Sequence, residues 1–285
     1  MVPKKTWLFF AAVLISACSS FNLVSTPKSS GTKSSEAQPS KVTPPQPEAS
    51  MQELLDAGLW ISGPRDGLLT IIGVSGRLMR PDDEIEAAKQ DAAQKLSMYH
   101  GIQGSFEIFN FVGGSFMDYE ANSALNINYD RNYGQYIERL SFDPEKDVIR
   151  GDGATFIRMK CNVSDLAVNT YSSERKSGKP VWTNDRDLPH FPGYTTVVGF
   201  SGSKSRLQDA VFASCESAVA RLIESASTTV TTNDSTIMGQ ASAASMHVRS
   251  EGRLSSFQVL EFWIEPGTSA VSKRVYTLAV ARVTK

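Results

Sequence analysis

The sequence predicts an α+β fold: two tandem β-α-β-β repeats, each an antiparallel sheet with a helix packed on one face. Three observations carry the prediction. Residues 70–96 lie without a gap on residues 196–222 at a shift of 126, and nine of the 27 positions are identical, including Gly73/Gly199, Ser75/Ser201, Gly76/Gly202, Ala87/Ala213, Ala92/Ala218 and Leu96/Leu222. Each copy opens on a short apolar run, rich in β-branched residues, that ends near a glycine. Each run is followed by an alanine-rich stretch with apolar residues three and four apart, which is the period of a half-buried helix.

The chain has 285 residues, 41% of them apolar and 21% charged, which is globular composition with room for about two domains. A formal net charge of −1 leaves no electrostatic footprint for nucleic acid. Residues 1–17 read as an export signal, with Lys4 and Lys5 ahead of the apolar core WLFFAAVLI at 7–15. That core falls well short of the about 20 residues needed to cross a bilayer. It runs into Ile15-Ser16-Ala17-Cys18, which resembles the bacterial lipobox. The resemblance implies cleavage between Ala17 and Cys18, and acyl chains such as palmitate on Cys18. Each buried CH₂ of such chains contributes about 0.8 kcal/mol of anchoring. Ser19 after the cysteine resembles the pattern sorted to the outer membrane, with periplasmic and surface exposure both open. Loss of Lys4 and Lys5 leaves 27 basic against 30 acidic residues, a net of −3. Residues 18–50 are a Ser/Pro-rich tether, too poor in apolar residues to fold, reaching roughly 30 Å as a flexible coil.

Repeat one spans 51–165. Residues 51–58 suit a short helix, and Trp60 precedes a turn at 61–64. The run GLLTIIGV at 67–74 reads as a buried strand. A helix follows a turn at Ser75-Gly76. Pro81 fits its first turn, and Asp82, Asp83 and Glu84 suit its positive end. Ile85, Ala88, Ala92, Leu96 and Tyr99 form its apolar stripe, and Gly101 stops it. Residues 105–112 alternate and read as a strand. Residues 117–131 read as a weak helix or a loop insertion. Residues 135–142 and 154–163 read as a hairpin, with turn chemistry at Asp143-Pro144 and Gly151-Asp152-Gly153. Cys161 shares the core face of the last strand with Ile157, Met159 and Val163.

A polar connector covers 166–180, and repeat two spans 181–285. Val181-Trp182 opens it. Residues 194–200 read as its strand. Its helix has Ser205 and Gln208 at capping-box spacing and a stripe of Val211, Cys215, Ala218 and Leu222. Residues 226–232, 255–264 and 274–283 read as strands, the second closed by Glu265-Pro266-Gly267. Cys161 and Cys215 thus face separate cores and read as two free buried cysteines.

The pattern resembles the family of the Helicobacter 20-kilodalton lipoprotein, to which modules of flagellar outer-membrane lipoproteins and of the flagellar T-ring protein are related. Trp60 and Trp182, Gly73-Val74-Ser75-Gly76 and Gly199-Phe200-Ser201-Gly202, and the alanines at 87, 92, 213 and 218 carry the likeness. It covers most of 60–163 and 182–283, and rests on small residues and spacing. The tandem copies and the insertion at 117–131 depart from the simplest family pattern. The resemblance implies an envelope lipoprotein, a subunit or accessory of an outer-membrane or flagellum-associated assembly. It supplies no catalytic residues.

No motif outweighs its structural alternative. GFSGSKS at 199–205 lacks the spacing of a phosphate-binding loop, which needs G-x-x-x-x-G-K-[ST]. Ser75 and Ser201 lack the second glycine of a nucleophile elbow, with Arg77 and Ser203 in its place. His100, His190 and His247 have no metal-ligand spacing to one another or to a cysteine. Asp82, Asp83, Glu84 and Glu86 read as a solvated helical turn. Arg150-Gly151-Asp152 spells an adhesion tripeptide on a hairpin tip, where turn chemistry suffices. The sequence therefore points to a membrane-anchored, non-enzymatic scaffold with no cofactor and no metal. Its partners are the membrane, through Cys18, and another protein or a second copy of itself. Surface adhesion is the alternative function. A small-ligand site or an enzyme would require a deep pocket between the repeats.

Overall fold

The apolar run of the first repeat forms strand β1 (Leu69–Gly76), buried at every residue but the last. The computed structural model describes residues 49–50, 53–54, 61–112, 119–151, 153–184, 187–226, 228–237, 240–265 and 273–284, with the backbone alone at 108–112, 119–123, 228–237 and 240–248. Ala17, Cys18, the tether to residue 48, Trp60, Asp152 and the turn at Pro266-Gly267 lie outside them. Of the helix expected at 51–58, Glu53 and Leu54 are described and helical. Ser50 and Glu53 cap each other, Ser50 N–H donating to Glu53 Oε2 at 2.6 Å and Glu53 N–H to Ser50 Oγ at 3.2 Å.

Helix α1 (Pro81–His100) follows with Pro81 in its first turn. Ala88, Ala92, Leu96 and Tyr99 are buried on β1 and on the strand at Ala154–Cys161, with Ile85 packed beside them. Strand β2 (Ile102–Val112) pairs without a break with β3 (Tyr119–Asn128). The weak helix or loop expected at 117–131 is therefore mostly strand. Its small and polar residues carry little intrinsic signal, and the ladder to β2 decides the outcome. Helix α2 (Gly134–Ile137) occupies part of the expected strand at 135–142. The cause is Asp130, whose carboxylate accepts from Asn132 N–H, Gln135 Nε2 and Tyr136 Oη and winds the chain there. The hairpin partner of β5 (Ala154–Cys161) is β4 (Val148–Gly151), and of the expected strand only Ser141 pairs with it, through a two-bond bridge to Lys160.

In the connector, β6 (Arg175–Lys176) and β7 (Lys179–Pro180) turn through Ser177 and Gly178, both at positive φ. A 3-10 turn at Val181–Thr183 buries Trp182. Strand β8 (Thr195–Phe200) and helix α3 (Leu207–Ala226) come next, and the expected stripe Val211, Cys215, Ala218 and Leu222 is buried. Strand β9 (Thr228–Ile237) runs past the end of the expected 226–232 segment, whose first residue, Ala226, ends α3 instead. Strand β10 (Gln240–Ile264) has 25 residues, so the strand expected at 255–264 is only its second part. Strand β11 (Val275–Thr284) closes the chain segment described.

Among the described residues all strand pairs are antiparallel, and both long helices pack on sheet faces, which makes the fold α+β. One sheet runs β1-β5-β4, a second runs β3-β2-β10-β11-β8 with β9 on β10, and β6-β7 form a small third. This departs from the expectation of a self-contained sheet in each half, because β2 and β3 hydrogen-bond into the sheet of the C-terminal half. The apolar core ignores the boundary too: Ile72, Val74 and Phe156 share one cluster with Val211, Leu222 and Phe262. Gln208 bridges the halves as well. Its Oε1 accepts from Gly76 N–H at 2.9 Å, so it does not complete the capping box expected with Ser205.

Strand and helix touch closely at two glycines. A Cβ on Gly73 would overlap the Ala88 carbonyl oxygen and lie 3.1 Å from Ala92 Cβ. A Cβ on Gly199 would overlap the Ser214 carbonyl oxygen and lie 2.5 Å from Ala218 N.

Candidate functional site

The strand-to-helix turns are the first place to look for binding chemistry. Several of the amides in and beside them are already committed. Val74 N–H donates to Asp91 Oδ2 at 2.8 Å, and Phe200 N–H to Ser217 Oγ at 3.2 Å. Ser201 N–H donates to Val275 O at 3.0 Å and Lys204 N–H to Lys273 O at 2.9 Å. A loop that cradles phosphate must aim such amides at the ligand, and these close the turn instead. Ser201 Oγ accepts from Val275 N–H at 2.9 Å and donates to Gly202 O at 2.7 Å, so it is a structural hydroxyl. Ser75 Oγ is buried and unpartnered among the described residues. No imidazole can serve it as a base from His100, which ends α1, a 20-residue helix about 30 Å long. His100 instead stacks on Tyr136 with ring centroids 5.6 Å apart, and burial lowers its pKa. His190 is exposed in a loop, and His247 lies on β10 where the backbone alone is described.

Among the buried or half-buried charge centres, which include Asp147 with Arg158 and Lys95 with Asp91, three gather the most polar partners. Glu84 corrects the reading of a solvated acidic turn: it is 4% exposed. Its carboxylate accepts from Thr155 Oγ1 at 2.6 Å and Leu78 N–H at 3.1 Å, and meets Arg77 and Arg150 at 3.3 and 3.4 Å. Burial alone would push its carboxyl up, but these donors and the two guanidinium charges together hold it below the usual carboxylate value. Arg150 is thus turned into the protein, which weakens the adhesion tripeptide as a displayed motif.

Glu261 sits on β10 at 0% exposure. Its Oε2 accepts from Trp182 Nε1 at 2.7 Å, and its Oε1 from Arg175 Nη2 at 2.8 Å and Ser173 Oγ at 3.2 Å. Burial raises its pKa. A buried carboxyl with a raised pKa suggests an acid catalyst, yet here both oxygens hold the connector onto the sheet.

Asp165 gathers the other end of the connector. Its carboxylate accepts from Arg282 Nε and Nη2 at 2.7 and 2.9 Å, Tyr194 Oη at 2.7 Å and Ser256 Oγ at 2.5 Å. The Arg282 hydrogen bond holds the carboxyl well below the ordinary range. A depressed pKa contributes stability that is full above the unfolded value, about 4, and is lost as pH falls toward the folded one. The thermal midpoint is therefore expected to drop below about pH 4, and Arg282→Met should flatten that decline. Superimposable pH profiles of the two proteins would remove Asp165 from this role.

Cys161 and Cys215 are free and buried. Burial pushes both thiols up, Cys215 to about 11, which keeps them protonated and unreactive at neutral pH. A cavity between β1 and β10, bordered by Ser62, Thr70, Lys95 and Gln258, holds about 10 Å³, room for one water at most. A larger open groove of about 850 Å³ is bordered by Gln103, Ser105, Asn126, Glu251 and Arg253. Among the described residues no group of His, Cys, Asp or Glu could hold a metal ion, and no helix is long and apolar enough to cross a membrane.

Glu84, Asp165, Glu261 and Arg282 are the residues that sequence reasoning missed as determinants. Glu261 left a signal, a lone charge inside the apolar run VLEFWI. Asp165 left none, because Arg282 is 117 residues away in sequence. The chain matches no protein-family model, no curated protein and no solved structure.

Proposed function

We propose that the chain is a lipid-anchored envelope lipoprotein, whose two tandem β-α-β-β copies act as a non-enzymatic binding or scaffolding body. The observation that carries the anchor is Ala17-Cys18 at the end of a nine-residue apolar core. Duplication is supported by the glycine contacts, since Gly73, Ala88 and Ala92 stand 126 residues before Gly199, Ser214 and Ala218. The hydrogen bonds of Val74 and Phe200 to a helix side chain 17 residues on support it further. The non-enzymatic reading is supported by polar groups that are occupied by structural bonds, as at Glu261 and Ser201. The resemblance to the Helicobacter 20-kilodalton lipoprotein family suggests an outer-membrane or flagellum-associated assembly. Adhesion is the weaker alternative, given Arg150 bound to Glu84.

In labelled cells, the wild-type protein is expected to take up palmitate and sediment with membranes. Cys18→Ser should lose both and leave a soluble or unprocessed chain. A Cys18→Ser protein that is still processed and membrane-bound would overturn the anchor. Crosslinking from solubilised envelopes should then recover defined envelope proteins with the tagged chain.

A further inference from the structure

The hairpins β2–β3 and β9–β10 join through β2 and β10 into a four-stranded antiparallel arm, ordered β3-β2-β10-β9. Gly104 and Gly252, paired in register, mark its root. A Cβ on Gly104 would overlap Ile223, and one on Gly252 would lie 2.6 Å from the Cβ of Ala226, the last residue of α3. The helix ends there and the strands run on. From Gly252 to Ala244, the partner of Val112, the sheet extends about 27 Å.

Alternate positions of the arm sort by chemistry. Those in register with Phe106 include Ile108, Val112, Leu125, Met246 and Val248. Beyond the root this set holds a single charged residue, Asp234. The opposite set holds Glu107, Glu120, His247, Arg249 and Glu251, with Phe109 and Phe111 as its large apolar members. The open groove at the root belongs to the polar set, through Gln103, Ser105, Asn126, Glu251 and Arg253. Strands β2, β3 and β9 have 11, 10 and 10 residues. That is the length of a tilted membrane-crossing strand, about 9–11 residues, and a two-residue alternation of apolar and polar positions is the pattern of a membrane barrel.

Such a sheet cannot enter hydrocarbon alone, because its outer strands would carry unpaired N–H and C=O groups. Among the described residues neither β3 nor β9 pairs on its outer side. The two edges differ, and their directions fit each other. β2 and β9 run away from the body and β3 and β10 run back, so β9 of one copy lies antiparallel to β3 of the next. A contact between unlike edges of identical chains is satisfied everywhere only when it closes into a ring. Each copy then adds four strands and keeps the count even.

We propose that several copies of this chain join edge to edge, β9 to β3, and close into a membrane-spanning β-barrel. Beyond Phe106 and Leu125, which pack on the core of the body, the apolar set faces lipid, and the polar set lines a water-filled lumen. Another copy of the chain is the occupant of each free edge. This rests on the envelope reading for the presence of a membrane and extends it from scaffold to pore.

The test uses the full chain extracted from membranes in mild detergent. Light scattering is expected to give a particle of several chains. Reconstitution into phosphatidylcholine–phosphatidylglycerol vesicles should release trapped carboxyfluorescein. Val248→Asp, on the apolar set, should give single chains and no release, with the thermal midpoint of the body retained. Thr231→Asp, on the polar set, should keep both assembly and release. A wild-type chain that is palmitoylated, folded and single, or that leaves vesicles tight, overturns the barrel whatever the variants do. A chain that assembles and releases dye without taking up palmitate overturns the lipid anchor and leaves the barrel standing.

Discussion

Gly199→Ala should lose about 3 kcal/mol of stability, read as a lower denaturant midpoint with an unchanged slope. The new methyl group has nowhere to go. It would overlap the Ser214 carbonyl oxygen and lie 2.5 Å from Ala218 N, and both are backbone atoms of α3. A side chain in the way could choose another rotamer, whereas a helix backbone can yield only by moving the helix off the sheet. That would open the cluster around Val211, Cys215, Ala218 and Leu222. Gly73→Ala meets the Ala88 carbonyl in the same way and should behave alike. Gly76→Ala is the control. Its added carbon would meet Gln208 Oε1 at 3.0 Å, the end of a flexible side chain, and should cost less than about 1 kcal/mol. Equal losses at Gly199 and Gly76 would show that close approach is not what glycine supplies. Loss of partner capture by Gly199→Val at unchanged stability would make the glycine a binding residue instead.

Glu261→Leu should be as damaging, at about 3–5 kcal/mol, the range for breaking a buried ionic contact from one side. Leucine removes the acceptor for Trp182 Nε1, buried with its residue at 2% exposure, and for Arg175 and Ser173. Arg175, with its side chain 35% exposed, can turn to water, but the indole N–H cannot. An orphaned buried donor costs about 1–3 kcal/mol. The connector around β6, β7 and the 3-10 turn is held to β10 by these bonds. Limited proteolysis is therefore expected to begin near residues 173–183 in the variant. Glu261→Gln keeps an acceptor for the indole and should lose about 1 kcal/mol. A neutral Glu261→Leu with an intact connector would show that local packing around Trp182 suffices.

Where a segment makes its own case, the sequence is a good guide to this fold. The apolar runs of β1 and β8 and the alanine-rich stripes of α1 and α3 are legible because their periods report burial directly. β3 and the first part of β10 are not. Their alanine, serine and asparagine content has little strand propensity, and they are strands because neighbours far away in sequence hydrogen-bond to them. Residues 135–142 mislead in the other direction: Tyr136, Ile137 and Phe142 look strand-like, but the Asp130 carboxylate collects local donors and wins. The candidate anchor is written in the sequence, since a lipobox is a linear motif. The buried charge centres need the third dimension, Glu84 with Thr155 and Asp165 with Arg282 above all.

The pairing of β2 with β10 also sets an order of events in time. Ile102 meets Leu254 and Val112 meets Ala244, partners separated by 132 to 152 residues of chain. Long-range ladders form late, because the loop they close must be ordered before any contact rewards it. The first hairpin must therefore wait with β2 bare along one edge until most of the second half has been delivered. A chain halted after residue 165 would hold that edge open indefinitely, and an open apolar edge is a template for aggregation. Maturation of this protein is thus tied to the arrival of its C-terminal half rather than to independent completion of each half.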